Sequence, residues 1–173
     1  YDTKRQRAVL FGGVTQWNGK DWVYDNSTWE WDGQDWHQMD TPIAPTGRTH
    51  HAMAYDEQRG RVVLYGGENA SGTLADLWEW DGTTWTLVAT TGPSARRWHA
   101  MAFDSARGRT VLFGGYDNAP LGDTWEWDGT AWALVATTGP GPQVSHAMAF
   151  DSARGRTVLF GNSGDTWEWD GIA

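Results

Sequence analysis

Apolar and polar positions fall into four short patterns that recur along the chain. In residues 99–104, HAMAFD, strict alternation sets His99, Met101 and Phe103 on one side of an extended segment and Ala100 and Ala102 on the other. In 109–115, RTVLFGG, the apolar residues run together, the signature of a strand covered on both faces. DTWEWD at 123–128 and AWALVA at 131–136 alternate again, now with tryptophan. These segments predict strands a, b, c and d of one unit. DSARGR joins a to b as a polar turn, with a glycine where positive φ is needed. Asp-Gly joins c to d, a strong hairpin signal. No segment carries a helical period, and every short connection implies antiparallel pairing.

The sixteen residues 99–114 recur letter for letter at 146–161. The Asp that ends strand a falls at Asp2, Asp56, Asp104 and Asp151, and the WEWDG run begins at Trp29, Trp78, Trp125 and Trp167. Most intervals are 47–49 residues, within the range of stacked or radial repeats. Four units follow, at 1–47, 48–95, 96–142 and 143–173. Side-chain size rises from alanine in strand a to tryptophan in c and d. Sheets arranged like spokes nearly touch at the hub and diverge outward, so close packing asks for this gradient.

These residues resemble the Kelch-repeat family of β-propellers. The resemblance rests on VLYGG at 63–67, WEW at 78–80, Trp85, and Pro93, Arg96 and His99, and extends over nearly all of the chain. It implies an all-β propeller of four-stranded antiparallel blades, usually six or seven in number. About three and a half blades are present, so the expectation is a segment of a larger ring, with association of copies through open blade edges as the rival. The fourth unit departs from the pattern: Gly161-Asn162 replaces the glycine pair, NSGDT shortens the next connection, and Gln143 stands where Arg48 and Arg96 stand elsewhere.

Composition narrows the chemistry. Thirteen Lys and Arg against 22 Asp and Glu give a net charge of −9, which disfavours nucleic acid and anionic membranes as partners, and no apolar run approaches the ~20 residues that a bilayer-spanning segment needs. The absence of Cys removes disulfides, thiolate chemistry and the Tyr–Cys copper chemistry of some Kelch-like oxidases within these residues. No catalytic site, cofactor or metal is expected. The repeated His51, His99 and His146 read as scaffold that hydrogen-bonds backbone. The repeated Glu30, Glu79, Glu126 and Glu168 are expected to meet Arg61, Arg109 or Arg156. Asn69-Ala70-Ser71 matches a glycosylation acceptor, a pattern short enough to arise by chance. The composition suits an exported bacterial protein, extracellular or on the cell surface.

Residues that break the repeat are the informative ones. The a–b and c–d turns are short and nearly invariant, whereas the b–c and d–a connections vary, so one face is customised. Trp17, Trp22 and Trp98 lie outside the framework on that face. Trp22 and Tyr24 are accompanied by Gln16, Asn18, Asp21, Asp25 and Asn26, and Trp98 replaces His50 and Ser145. The candidate ligand-binding residues are Trp17, Asp21, Trp22, Tyr24, His50, Trp98, Tyr116 and Asn118. The expected function is a non-catalytic module that binds protein through this face. The alternatives are carbohydrate binding, a larger secreted enzyme whose active site lies elsewhere, or a purely structural array.

Overall fold

The computed structural model describes residues 1–17, 19–161 and 164–172. Asn18, Asn162, Ser163 and Ala173 lie outside the described residues, so the expectations placed on Asn18 and on the Gly161-Asn162 replacement end there. Four antiparallel sheets follow one another as blades. The first is β1 (Ala8–Trp17), β2 (Trp22–Trp31) and β3 (Trp36–Met39). The second is β4 (Ala52–Asp56), β5 (Arg61–Tyr65), β8 (Leu77–Trp80) and β9 (Trp85–Ala89), with a small hairpin of β6 (Glu68–Asn69) and β7 (Gly72–Thr73) set into its b–c connection. The third is β10 (Ala100–Asp104), β11 (Arg109–Asp117), β12 (Ala119–Trp127) and β13 (Trp132–Ala136). The fourth is β14 (Ala147–Asp151), β15 (Arg156–Phe160) and β16 (Thr166–Trp169).

Adjacent blades touch through their alanine-bearing first strands: β10 lies against both β4 and β14. The apolar second strands are the core. Val63, Leu64, Val111 and Leu112 are fully buried, as a run covered on both faces requires. The tryptophans of strands c and d fill the widening space between blades. Trp80 and Trp85 are 1% exposed and Trp127 2%. At the two ends of the array strand b loses cover on its outward face: Leu10, equivalent to Leu64 and Leu112, is 44% exposed, and Phe160, equivalent to Tyr65 and Phe113, is 57% exposed.

One hydrogen-bonded relay ties each blade internally and to the next. Asp56 at the end of strand a accepts from the Arg59 backbone at 2.9 Å and from its side chain at 2.7 Å. Arg59 then donates to Glu79 at 2.6 Å, and Glu79 also accepts from Trp127 of the following blade at 3.2 Å. Asp2, Arg5, Glu30 and Trp80 repeat the scheme, as do Asp104, Arg107, Glu126 and Trp169. The expected partners Arg61, Arg109 and Arg156 are therefore wrong. The aspartate cap turns the earlier arginine of the DSARGR turn toward the glutamate. The later one starts strand b and points to the c–d turn, where Arg156 lies 3.7 Å from Asp170.

The glycine pair has a second task. Gly66 and Gly67 have φ of 63° and 94°. A Cβ on Gly66 would sit 2.6 Å from the Arg96 carbonyl, and one on Gly67 would sit 2.6 Å from the Thr49 carbonyl. Only glycine lets the end of strand b pass between the entry segments of its own blade and the next. The Gly67 N–H donates to the Arg96 carbonyl at 2.8 Å, and Gly13 and Gly115 do the same to Arg48 and Gln143. Arg48 is fully buried and holds Asp76 through two bonds of 2.6 and 2.8 Å, as Arg96 holds Asp123.

Candidate functional site

His50, Trp98 and Ser145 occupy one position in three successive units, just before strand a. All three have left-handed backbone, with φ of 56°, 58° and 54°. They are linked from blade to blade: the Trp98 N–H donates to the His50 carbonyl at 3.0 Å and the Ser145 N–H to the Trp98 carbonyl at 2.9 Å. A left-handed tryptophan is unfavourable by about 1–2 kcal/mol, and the surrounding hydrogen bonds hold it there.

Trp98 is the middle of an aromatic and charged cluster that bridges the second and third blades. The Arg97 guanidinium lies 4.1 Å from the Trp98 ring centroid and 5.4 Å from that of Tyr116. Trp98 stands 5.2 Å from His50, edge to face, and 5.8 Å from Tyr116. Glu68 closes the group, accepting from Arg97 and lying 2.9 Å from His50 Nδ1. The backbone fixes these positions, since Arg97 and Tyr116 exchange hydrogen bonds of 3.2 and 2.8 Å, and Thr49 and Glu68 exchange bonds of 3.0 and 2.9 Å. The cluster offers two half-buried aromatic faces with a cation between them and a carboxylate behind it.

Three of the expected residues, His50, Trp98 and Tyr116, are thus brought together. Asn118 is close by in sequence, at the exposed tip of the β11–β12 hairpin with φ of 57°, where it bonds Asp117 at 3.1 Å. Trp17, Asp21, Trp22 and Tyr24 form a separate group on the β1–β2 hairpin. Trp17 and Trp22 are paired across the two strands, 5.2 Å apart edge to face, and stand 53% and 54% exposed. They do not fold back over the core. Tyr24 is half-buried opposite Val14, and Asp21 is exposed in the turn.

Arg97 and Glu68 are the members that sequence reasoning missed. The signal was available: Arg97 stands where other units have Thr49 and Val144, a break in the repeat of the same kind that marks Trp98.

Behind the cluster, His51, His99 and His146 pack edge-on against Phe11, Tyr65 and Phe113 of the preceding blade. Burial, reinforced by the nearby Arg48, pushes His51 down to about 4. Burial and Arg96 push His99 down to about 3. Both rings are neutral at physiological pH. Among the described residues, no three His, Cys, Asp or Glu side chains come together in a way that could hold a metal ion.

A family model described as the KLHDC2/KLHL20/DRC7 Kelch-repeats domain matches residues 1–162. No curated protein gives a significant match to the chain.

Proposed function

The chain belongs to the Kelch-repeat family, and from that premise we propose that it binds a protein partner on the face carrying the b–c and d–a connections, with Arg97, Trp98 and Tyr116 at the centre. Kelch-repeat domains are in general non-catalytic protein-interaction modules. The observation that carries the choice of site is the strained Trp98, stacked on Arg97 and half-buried where two blades meet. The left-handed turn itself recurs at His50 and Ser145 and belongs to the scaffold; what is particular to this unit is the bulky indole placed on it and stacked on Arg97. Tryptophan, tyrosine and arginine are the residue types that dominate protein-interface energies. Held on a rigid scaffold, they lose little freedom on binding.

A phage-displayed peptide library panned on the purified chain tests this reading. Peptides enriched by the wild type are expected to lose about 2 kcal/mol or more on Trp98→Ala. They are expected to keep full affinity for Glu57→Ala, a change in the a–b turn of the opposite face. Equal enrichment by Trp98→Ala overturns the site. Selective retention on a glycan array, with no peptide enriched, replaces protein with carbohydrate as the ligand.

A further inference from the structure

The aromatic pair at the end of the β1–β2 hairpin goes beyond what the fold requires. β1 runs to Trp17, four residues past Gly13, whereas β11 ends at Asp117, two past Gly115. At about 3.3 Å per residue, the first hairpin projects about 7 Å farther from the blade. The entry segments of the blades reach the residue after each glycine pair, where Thr49 bridges to Glu68 and Arg97 to Tyr116. Trp17 and Trp22 lie past that level and stand 53% and 54% exposed. Their rings are 5.2 Å apart and inclined at 63°, an edge-to-face contact that leaves the outer indole faces open to solvent. Hairpins of this scaffold close without such a pair: Asn69 to Gly72 and Asp117 to Ala119 turn through small and polar residues.

The charge of this face selects what the indoles can meet. Two of its arginines, Arg48 and Arg96, are buried and committed to Asp76 and Asp123. The remaining charges of the b–c and d–a connections are Asp21, Asp25, Asp40, Glu68, Asp117 and Asp165 against Lys20 and Arg97. Such a surface, on a chain of net charge −9, concentrates cations and repels anions. The same face also shows how it holds a cation. The Arg97 guanidinium lies 4.1 Å from the Trp98 ring centroid while Glu68 accepts a hydrogen bond from it. The negative face of an indole attracts the cation, and a carboxylate beside it adds to the attraction. Trp22 has similar company, with Asp21 next to it in the turn and Asp25 three residues on.

We propose that the Trp17–Trp22 pair is a subsite for an arginine side chain of a basic polypeptide segment, its guanidinium stacked on an open indole face and drawn there by the surrounding carboxylates. Arginine suits the site better than lysine, because its planar, weakly hydrated guanidinium stacks on aromatic rings. A neutral sugar can stack on an indole but gains nothing from the acidic surroundings. The Trp98 cluster bridges the second and third blades and shares no residue with this pair, so the two proposals fail independently.

The probe is the acetylated, amidated peptide GRGRG, titrated into the whole 173-residue chain while the indole N–H resonances are followed by NMR. The resonances of Trp17 and Trp22 are assigned from Trp17→Phe and Trp22→Phe. Saturable shifts of both are expected, with affinity falling at least about threefold when citrulline, a neutral isostere, replaces each arginine. Phenylalanine keeps an aromatic cross-strand pair but offers a cation a weaker face, so each variant should bind the peptide less tightly with its circular dichroism unchanged. Equal binding of the arginine and citrulline peptides overturns the proposal, as does the absence of binding. Binding that leaves both indole resonances unmoved places the peptide elsewhere on the acidic surface and also overturns it. A neutral oligosaccharide such as cellohexaose that moves the two resonances, where GRGRG does not, makes the pair a glycan site instead.

Discussion

The three histidines that precede strand a make the clearest residue-scale prediction, because they are kept uncharged by burial. In the unfolded chain each takes up a proton near pH 6.5, whereas in the folded chain His51 waits until about 4 and His99 until about 3. The unfolded state therefore binds more protons in the interval between. Stability is full above about pH 6.5 and falls as the pH drops toward 4, by about 1.4 kcal/mol per pH unit for each of His51 and His99. Urea unfolding at pH 7 and pH 5 should resolve this, and His51→Phe should remove one histidine's share of the slope. An unchanged slope in that variant would place the acid sensitivity elsewhere. Trp98 is the opposite case, a residue whose removal relieves strain. Asparagine accepts left-handed backbone, so Trp98→Asn is expected to shift unfolding stability by less than about 1 kcal/mol while abolishing the binding that the wild type selects. A loss of several kcal/mol in a thermal melt would make Trp98 structural instead.

At the scale of the element, the joint between blades is a buried glutamate shared by an arginine and the next blade's tryptophan. Glu79→Ala leaves Arg59 and Trp127 without that acceptor and is expected to cost about 2–4 kcal/mol. Glu168 holds Arg154 in the last blade but is 40% exposed, and its replacement by alanine should cost less than about 1 kcal/mol. Denaturant titration of the two variants checks the contrast, and equal losses would mean that the joint carries no special weight. The strands themselves were legible because period-two alternation and the DSARGR and Asp-Gly turns determine them locally. The glutamate's partner was not: Arg59 and Arg61 differ only in how the Asp56 carboxylate orients the turn, which is a matter of geometry rather than spacing. The b–c connections were misjudged for a related reason. Gly12-Gly13 and Gly114-Gly115 make bulges that shift the register and let pairing resume, so β1–β2 and β11–β12 continue as long hairpins instead of loops. Trp17 and Trp22 become a cross-strand pair at the end of one of them.

Across the whole molecule, repetition separates a constant face from a variable one. The turn face repeats the Asp–Arg–Glu relay in every blade. The opposite face carries the left-handed step from His50 to Trp98 to Ser145, with a different side chain each time. The Trp98 cluster was half legible, because aromatic residues that break a repeat are conspicuous, while Arg97 beside the scaffold Arg96 reads as more scaffold until the structure separates them. Hydrogen exchange of the chain with and without a peptide selected from the library tests the assignment of faces most directly. Added protection is predicted at residues 48–51, 96–98 and 116–118, with residues 57–60, 105–108 and 152–155 unchanged. Protection confined to those three turns would put the ligand on the other face and contradict the account.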